Sequence, residues 1–217
     1  MENPKKRTGL WLSELTEFYD KAIKKYEVDI VSPTGGEVPL DPRSKLTALL
    51  RKKTRKYLKD PAFRNKLQHS LSPEEIKSDE YHAIYFAGGH GTMWDFPDST
   101  YLQRITREIY ENKGVVSAIC HGPSALINVK LSNGKYLIED KTLTSFSYKE
   151  ERLLMLHKQI PFVLQSKLEK RGANYKQSLL PFTSFVKQDG RLVTGQNPQS
   201  VRKTTKKTLK LLKKTYK

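Results

Sequence analysis

Cys120 is the single cysteine of a 217-residue chain, and it stands where a thiol could do chemistry. It follows Gly114-Val115-Val116-Ser117-Ala118-Ile119, a β-branched run that reads as a buried parallel strand. It precedes His121-Gly122-Pro123, which open a helix expected to run to about Val129. A strand-to-helix turn of this kind sets a side chain at the carboxyl edge of a sheet, and the helix N-terminus is expected to favour a thiolate. Backbone N–H groups of the next residue and of a neighbouring loop can then hold an oxyanion. Such a loop exists in Gly88-Gly89-His90-Gly91, which ends the run Tyr81–Ala87, and its small residues let backbone approach a substrate closely. The alternative for Cys120 is a buried, inert thiol packed as a small apolar side chain. His69, His82 and His157 are scattered, no HxxxH pair occurs, and no metal site is expected.

The elements around these residues alternate. Leu10–Tyr26 has a helical period, with Ser13 and Glu14 in its first turns, and leads into a short strand at Val28–Ser32. A basic helix is expected over about 44–59, then a short helical segment after Pro61. Ser72-Pro73-Glu74-Glu75 reads as a helix start with proline at the first position. Strands are expected at Tyr81–Ala87, Gly114–Ile119 and Thr142–Ser147, and helices at Thr100–Glu111, Tyr148–Leu156 and Pro161–Arg171. Gln188-Asp189-Gly190 splits a hairpin of Thr183–Lys187 and Arg191–Thr194, and a second basic helix closes the chain from about 200 to 216. This order points to an α/β fold, a mostly parallel sheet with helices on both faces, in one domain spanning 1–217.

The composition excludes several classes. One cysteine permits neither a disulfide scaffold nor a CxxC zinc ribbon. No run of 18 apolar residues suggests a membrane helix and no signal peptide is read, so a reducing, cytoplasmic setting is expected. The net charge is +17, with 40 Lys+Arg against 23 Asp+Glu. Arg43–Lys59 and Arg202–Lys217 each carry eight basic residues, and both read as amphipathic helices with a solvated lysine face. A nucleic-acid partner is the sharper alternative, but no base-reading pattern supports it.

The segments YFAGGHGTMWDF and AICHGP, with TGLWLSEL, VDIVSPTGGEVPLDPRS and GRLVTGQNPQS, resemble the ThiJ/PfpI superfamily in five ordered blocks from Thr8 to about Lys210. The branch that looks most similar contains the heat-shock-induced, glutathione-independent glyoxalases (glyoxalase III). The resemblance implies a flavodoxin-like, class I glutamine amidotransferase-like sandwich and a cofactor-free enzyme. It acts on a small reactive carbonyl such as methylglyoxal, and a homodimer is an open possibility. It implies Cys120 as nucleophile, His121 as its histidine and Glu14 as the acid beside the thiol. Glu151, with Glu150 as the alternative, is the acid that orients the histidine. Gly88, Gly89 and His90 are assigned to the oxyanion and substrate loop. The family begins with an apolar strand, whereas MENPKKR has no strand pattern. The first strand is therefore expected to be missing, which would weaken the sheet and the anchoring of Glu14. Readings that compete with the glyoxalase are a holdase or cysteine oxidation sensor, a deglycase, and a peptidase or amidotransferase-like hydrolase.

Overall fold

A computed structural model describes residues 8–216 apart from Leu49. The expectation of a missing first strand rests largely on residues 1–7, outside the described residues. The helices are α1 (Leu12–Ala22), α2 (Pro42–Ala48), α3 (Lys52–Lys59), α4 (Pro61–Gln68), α5 (Thr92–Asp95), α6 (Thr100–Glu111), α7 (Tyr148–Leu153), α8 (Leu164–Lys170) and α9 (Val201–Thr215). The strands are β1 (Ala83–Phe86), β2 (Val115–Ile119), β3 (Thr142–Leu143), β4 (Asn174–Tyr175), β5 (Val186–Asp189) and β6 (Leu192–Gly195).

The main sheet has the order β1-β2-β6-β5, and only the β5–β6 hairpin is antiparallel. Every residue of β2 is buried, as a strand covered on both faces requires. Because side chains alternate along a strand, Val116 and Ala118 join the core with Leu102 and Ile105 of α6. Ser117 points the other way and shares a 2.9 Å hydroxyl contact with Thr208 of α9. Helices thus cover both faces, and the fold is the flavodoxin-like α/β arrangement expected. Gly195 lets α9 come close, since a Cβ there would stand 2.2 Å from Thr204 Oγ1.

Several local expectations fail, each for a tertiary reason. Val28–Ser32 forms no strand. Val31 makes one parallel bridge to Leu71, and the segment faces a cavity of about 810 Å3 on the side of β1. That cavity is lined by Ile30, Val31, Ile84, Phe86, Leu102 and Ile105, and among the described residues β1 pairs with β2 alone. The basic helix breaks into α2 and α3 around Leu50, and Arg51 starts the second piece with extended backbone. Ser72–Glu75 makes its cap contacts, Ser72 N–H to Glu75 Oε2 at 2.7 Å, yet the chain then turns to bury Ile76 instead of continuing as a helix. The helix after Cys120 is a five-residue 3-10 segment, Gly122–Leu126. Of Thr142–Ser147 only two residues pair as a strand, because Thr144 N–H turns to Thr194 Oγ1 and Phe146 N–H to the Cys120 carbonyl. No helix among the described residues is long and apolar enough to cross a membrane.

Candidate active site

Cys120 leaves β2 with a φ of +57°, a left-handed conformation that a side-chain-bearing residue adopts only under tertiary constraint. Its N–H donates to the Gly195 carbonyl at 2.9 Å, and its carbonyl accepts Phe146 N–H at 2.7 Å. The chain then passes under β1, where a Cβ on Gly122 would meet Phe86 O at 2.3 Å. The resulting elbow sets Sγ between the Glu14 carboxyl and the His121 ring, behind which Glu151 stands.

On one side lies Glu14, in the first turn of α1 and with no exposed surface. Its Oε2 accepts Gly88 N–H at 2.7 Å, and its carboxyl also interacts with the Cys120 thiol. Burial raises its pKa from 4.5 to about 8, against the lowering effect of the Gly88 hydrogen bond. Gly88 is forced to be glycine by contact, since a Cβ would stand 2.8 Å from both Cys120 Cβ and Glu14 Oε2. The Gly88 N–H, assigned to the oxyanion loop from sequence, is therefore already used by Glu14. The Gly89 N–H donates to no protein acceptor among the described residues, and the His121 N–H faces the Cys120 sulfur, so both can turn to an oxyanion formed at that sulfur.

On the other side, His121 Nδ1 lies 3.3 Å from Cys120 Sγ, and Nε2 lies 2.5 Å from Glu151 Oε1. Burial lowers the His121 pKa to about 4, so its ring is neutral at physiological pH. Glu151 is buried, which alone would push it up. Hydrogen bonds from His121 and His90 nonetheless hold it at about 2. The structure separates the two candidate glutamates. Glu150 closes a capping box with Ser147 and accepts from Phe182 N, Gln196 Nε2 and Asn197 Nδ2, so it anchors the start of α7 to the GQNPQS segment. Glu151, the next residue on the helix, is left to face the histidines.

Two expectations change here. Burial, followed by the charge of Glu14, pushes the Cys120 thiol well above its ordinary pKa. The resting side chain is thus a thiol, and the short 3-10 segment does not supply the helix-dipole stabilisation read from sequence. His90, assigned from sequence to the substrate loop, turns instead to Glu151. Its Nε2 lies 3.1 and 3.2 Å from the two Glu151 oxygens, and its ring centroid is 4.1 Å from that of His121. His90, His121 and Glu151 consequently bring ligand atoms within 4.8 Å of one another, a metal-capable cluster that sequence spacing did not indicate. A cation there would have to replace both Nε2–H···Glu151 bonds and sit near the Arg43 guanidinium, so the geometry suits a hydrogen-bonded relay better.

Sequence reasoning missed Arg43 and Asp41. Arg43 Nη2 lies 3.2 Å from His90 Nδ1 and 2.6 Å from Asp41 Oδ2, and Asp41 is fully buried. In sequence Arg43 reads as part of the solvated basic stretch 43–59. The available signal was Asp41-Pro42, an N-cap with proline at the first helical position, which orients the next residue. Cys120 is 3% exposed and His121 2%, whereas the Arg43 side chain is 44% exposed, the one member of this network open to solvent to that extent.

Comparison with known proteins places the site in context. Residues 13–211 match the model of the DJ-1/PfpI family. The probable glutathione-independent glyoxalase hsp3103 of Schizosaccharomyces pombe is 41% identical over 71% of this chain, and the match spans 62% of that protein's length. The glutathione-independent glyoxalase HSP31 of Saccharomyces cerevisiae is 34% identical over 95% of this chain and 90% of its own. The crystal structure of glyoxalase III from Candida albicans superposes with a TM-score of 0.87, at 30% identity, over 95% of this chain and 89% of that one.

Proposed function

The chain belongs to the DJ-1/PfpI family, and from that membership and the site we propose that it is a glutathione-independent glyoxalase converting methylglyoxal to lactate. The observation that carries the reading is the thiol of Cys120 set between the buried Glu14 carboxyl and His121 Nδ1, with His121 Nε2 held by Glu151. The near-complete covering of Cys120 favours a small carbonyl over a peptide or a bulky protein adduct.

Cys120 Sγ adds to the aldehyde carbon C1 while His121 Nδ1 accepts the thiol proton. The C1 oxygen becomes an alkoxide held by Gly89 N–H and His121 N–H, then takes the proton to give a hemithioacetal. Glu14 and His121 next move the C1 proton to C2 through an enediol, which leaves a lactoyl thioester. Water cleaves the C1–S bond, releasing lactate and regenerating the thiol. The overall change is an internal redox hydration, the reverse of a D-lactate dehydratase reaction, and it consumes no oxidant or reductant. A Glu14 pKa of about 8 suits a group that must give and take a proton near neutrality.

Purified protein should consume methylglyoxal without glutathione and form lactate, detected by proton NMR, and Cys120→Ser should abolish turnover. Consumption unchanged in Cys120→Ser, or no lactate from the wild type, would overturn the reading.

A further inference from the structure

We propose that Arg43, clamped by Asp41, is a positioning residue that fixes the tautomer of His90 and, through Glu151, presents His121 to the thiol with its Nδ1 lone pair. A guanidinium can only donate, so at 3.2 Å it makes His90 Nδ1 an acceptor. The ring proton of His90 then sits on Nε2, which faces both oxygens of Glu151. Glu151 receives this bond and the one from His121 Nε2, and two donors keep it ionised and fixed in direction. With the His121 proton committed to Nε2, Nδ1 is left as the acceptor facing Cys120 Sγ.

The order of the links matters. Asp41 receives the Arg43 Nε and Nη2 protons and the Arg43 backbone N–H, so the guanidinium is locked before it reaches His90. Without Arg43, the His90 proton is free to move to Nδ1, which turns a lone pair against the Glu151 carboxylate. The titratable and charged groups acting on His121 are Arg43 at the start of α2, His90 from the glycine loop, Cys120 from the end of β2 and Glu151 from α7, while Glu14 of α1 meets the thiol from the other side. Among them Arg43 and His90 disfavour a positive charge on His121, whereas Glu151 favours it.

The kinetic arm of the test rests on the glyoxalase reading, and the spectroscopic arm does not. Nitrogen-15 NMR of ring-labelled histidine should show His90 protonated at Nε2 in the wild type and a mixture of tautomers in Arg43→Ala. In that variant kcat should fall about tenfold to a hundredfold with KM within about twofold, as for other lost outer-shell supports. The acid limb of kcat/KM should move to higher pH. Millimolar guanidinium, entering at the exposed Arg43 position, should restore kcat and the His90 tautomer together. If Arg43→Ala does not fold, Arg43→Lys and His90→Gln carry the same test. In His90→Gln, changing Arg43 should add little further loss, because the link between them is already cut. A wild-type His90 protonated at Nδ1, or an Arg43→Ala protein with unchanged tautomer and unchanged kcat, overturns the proposal. If the wild type turns over no methylglyoxal, the glyoxalase reading fails. The relay is then judged by the NMR signals and by the pH dependence of Cys120 alkylation with iodoacetamide, whose acid limb must move with Arg43→Ala.

Discussion

Glu14 and Glu151 flank the same thiol at nearly the same depth, 0% and 3% exposed, yet their pKa values separate to about 8 and about 2. Burial by itself pushes both upward. What differs is the supply of donors. Glu14 receives one backbone N–H from Gly88 and the weaker contact of the Cys120 thiol. Glu151 receives two imidazole N–H groups, one of which is backed by Arg43 and Asp41. One residue type thus supplies a proton-bearing group on one side and a fixed negative charge on the other. Titratable groups driven apart in this way mark the division between proton carrier and orienting charge.

The comparison breaks most completely at Glu151. Glu151→Gln puts an amide N–H against one of the two imidazoles and frees the His121 tautomer, and kcat should fall about a thousandfold or more. A kcat within tenfold of wild type, by steady-state methylglyoxal assay, would show that Glu151 does not orient the base. Glu14→Gln keeps the shape but removes the titrating proton, and kcat should fall about a hundredfold.

The same substitution sharpens the comparison through stability. A carboxyl with a folded pKa of about 8 against 4.5 unfolded stabilises fully below pH 4.5, and that stabilisation is lost as pH rises through 8. His121, depressed from 6.5 to about 4, acts in the opposite sense. Its contribution is present above pH 6.5 and lost as pH falls towards 4. Between pH 6.5 and 8 Glu14 therefore acts without that opposition. Wild-type stability should drop by about 2 kcal/mol relative to Glu14→Gln across that window, measured by urea unfolding. Parallel curves would contradict a raised Glu14. The smallest effect is expected at Ser147→Ala, which opens the capping box of α7 and costs about 1 kcal/mol. It should loosen Glu151 and lower kcat modestly while the Glu14-linked pH dependence of stability stays as in wild type.

Much of this arrangement was legible in the chain. Val115–Ile119 and Thr100–Glu111 lie where β-branching and helical periodicity predicted them, because the strand is buried throughout and the helix buries one periodic face through Leu102, Ile105 and Ile109 behind a Ser99 cap. The Cys120 elbow, the glycine loop and the pairing of His121 with an acid at 150 or 151 also followed from local pattern and family resemblance. The choice between Glu150 and Glu151 did not. Both sit in one helical turn, and only Gln196, Asn197 and Phe182, distant in sequence, claim Glu150. Arg43 was hidden for the same reason. Its partner His90 is 47 residues away, and in sequence it is one more cation in a basic stretch. The protonation of Cys120 was missed because the depth of burial is a property of the whole sheet edge, whereas a strand–helix junction alone suggests a thiolate.

The most direct measurement is a carbon-13 NMR titration of glutamate side-chain carboxyls from pH 3 to 10, with Glu14 and Glu151 assigned through their Gln variants. The expected result is a Glu14 signal with a midpoint near pH 8 and a Glu151 signal that remains that of a carboxylate throughout. A Glu14 already ionised at pH 6, or a Glu151 that takes up a proton above pH 4, would contradict the division of roles on which the catalytic account stands.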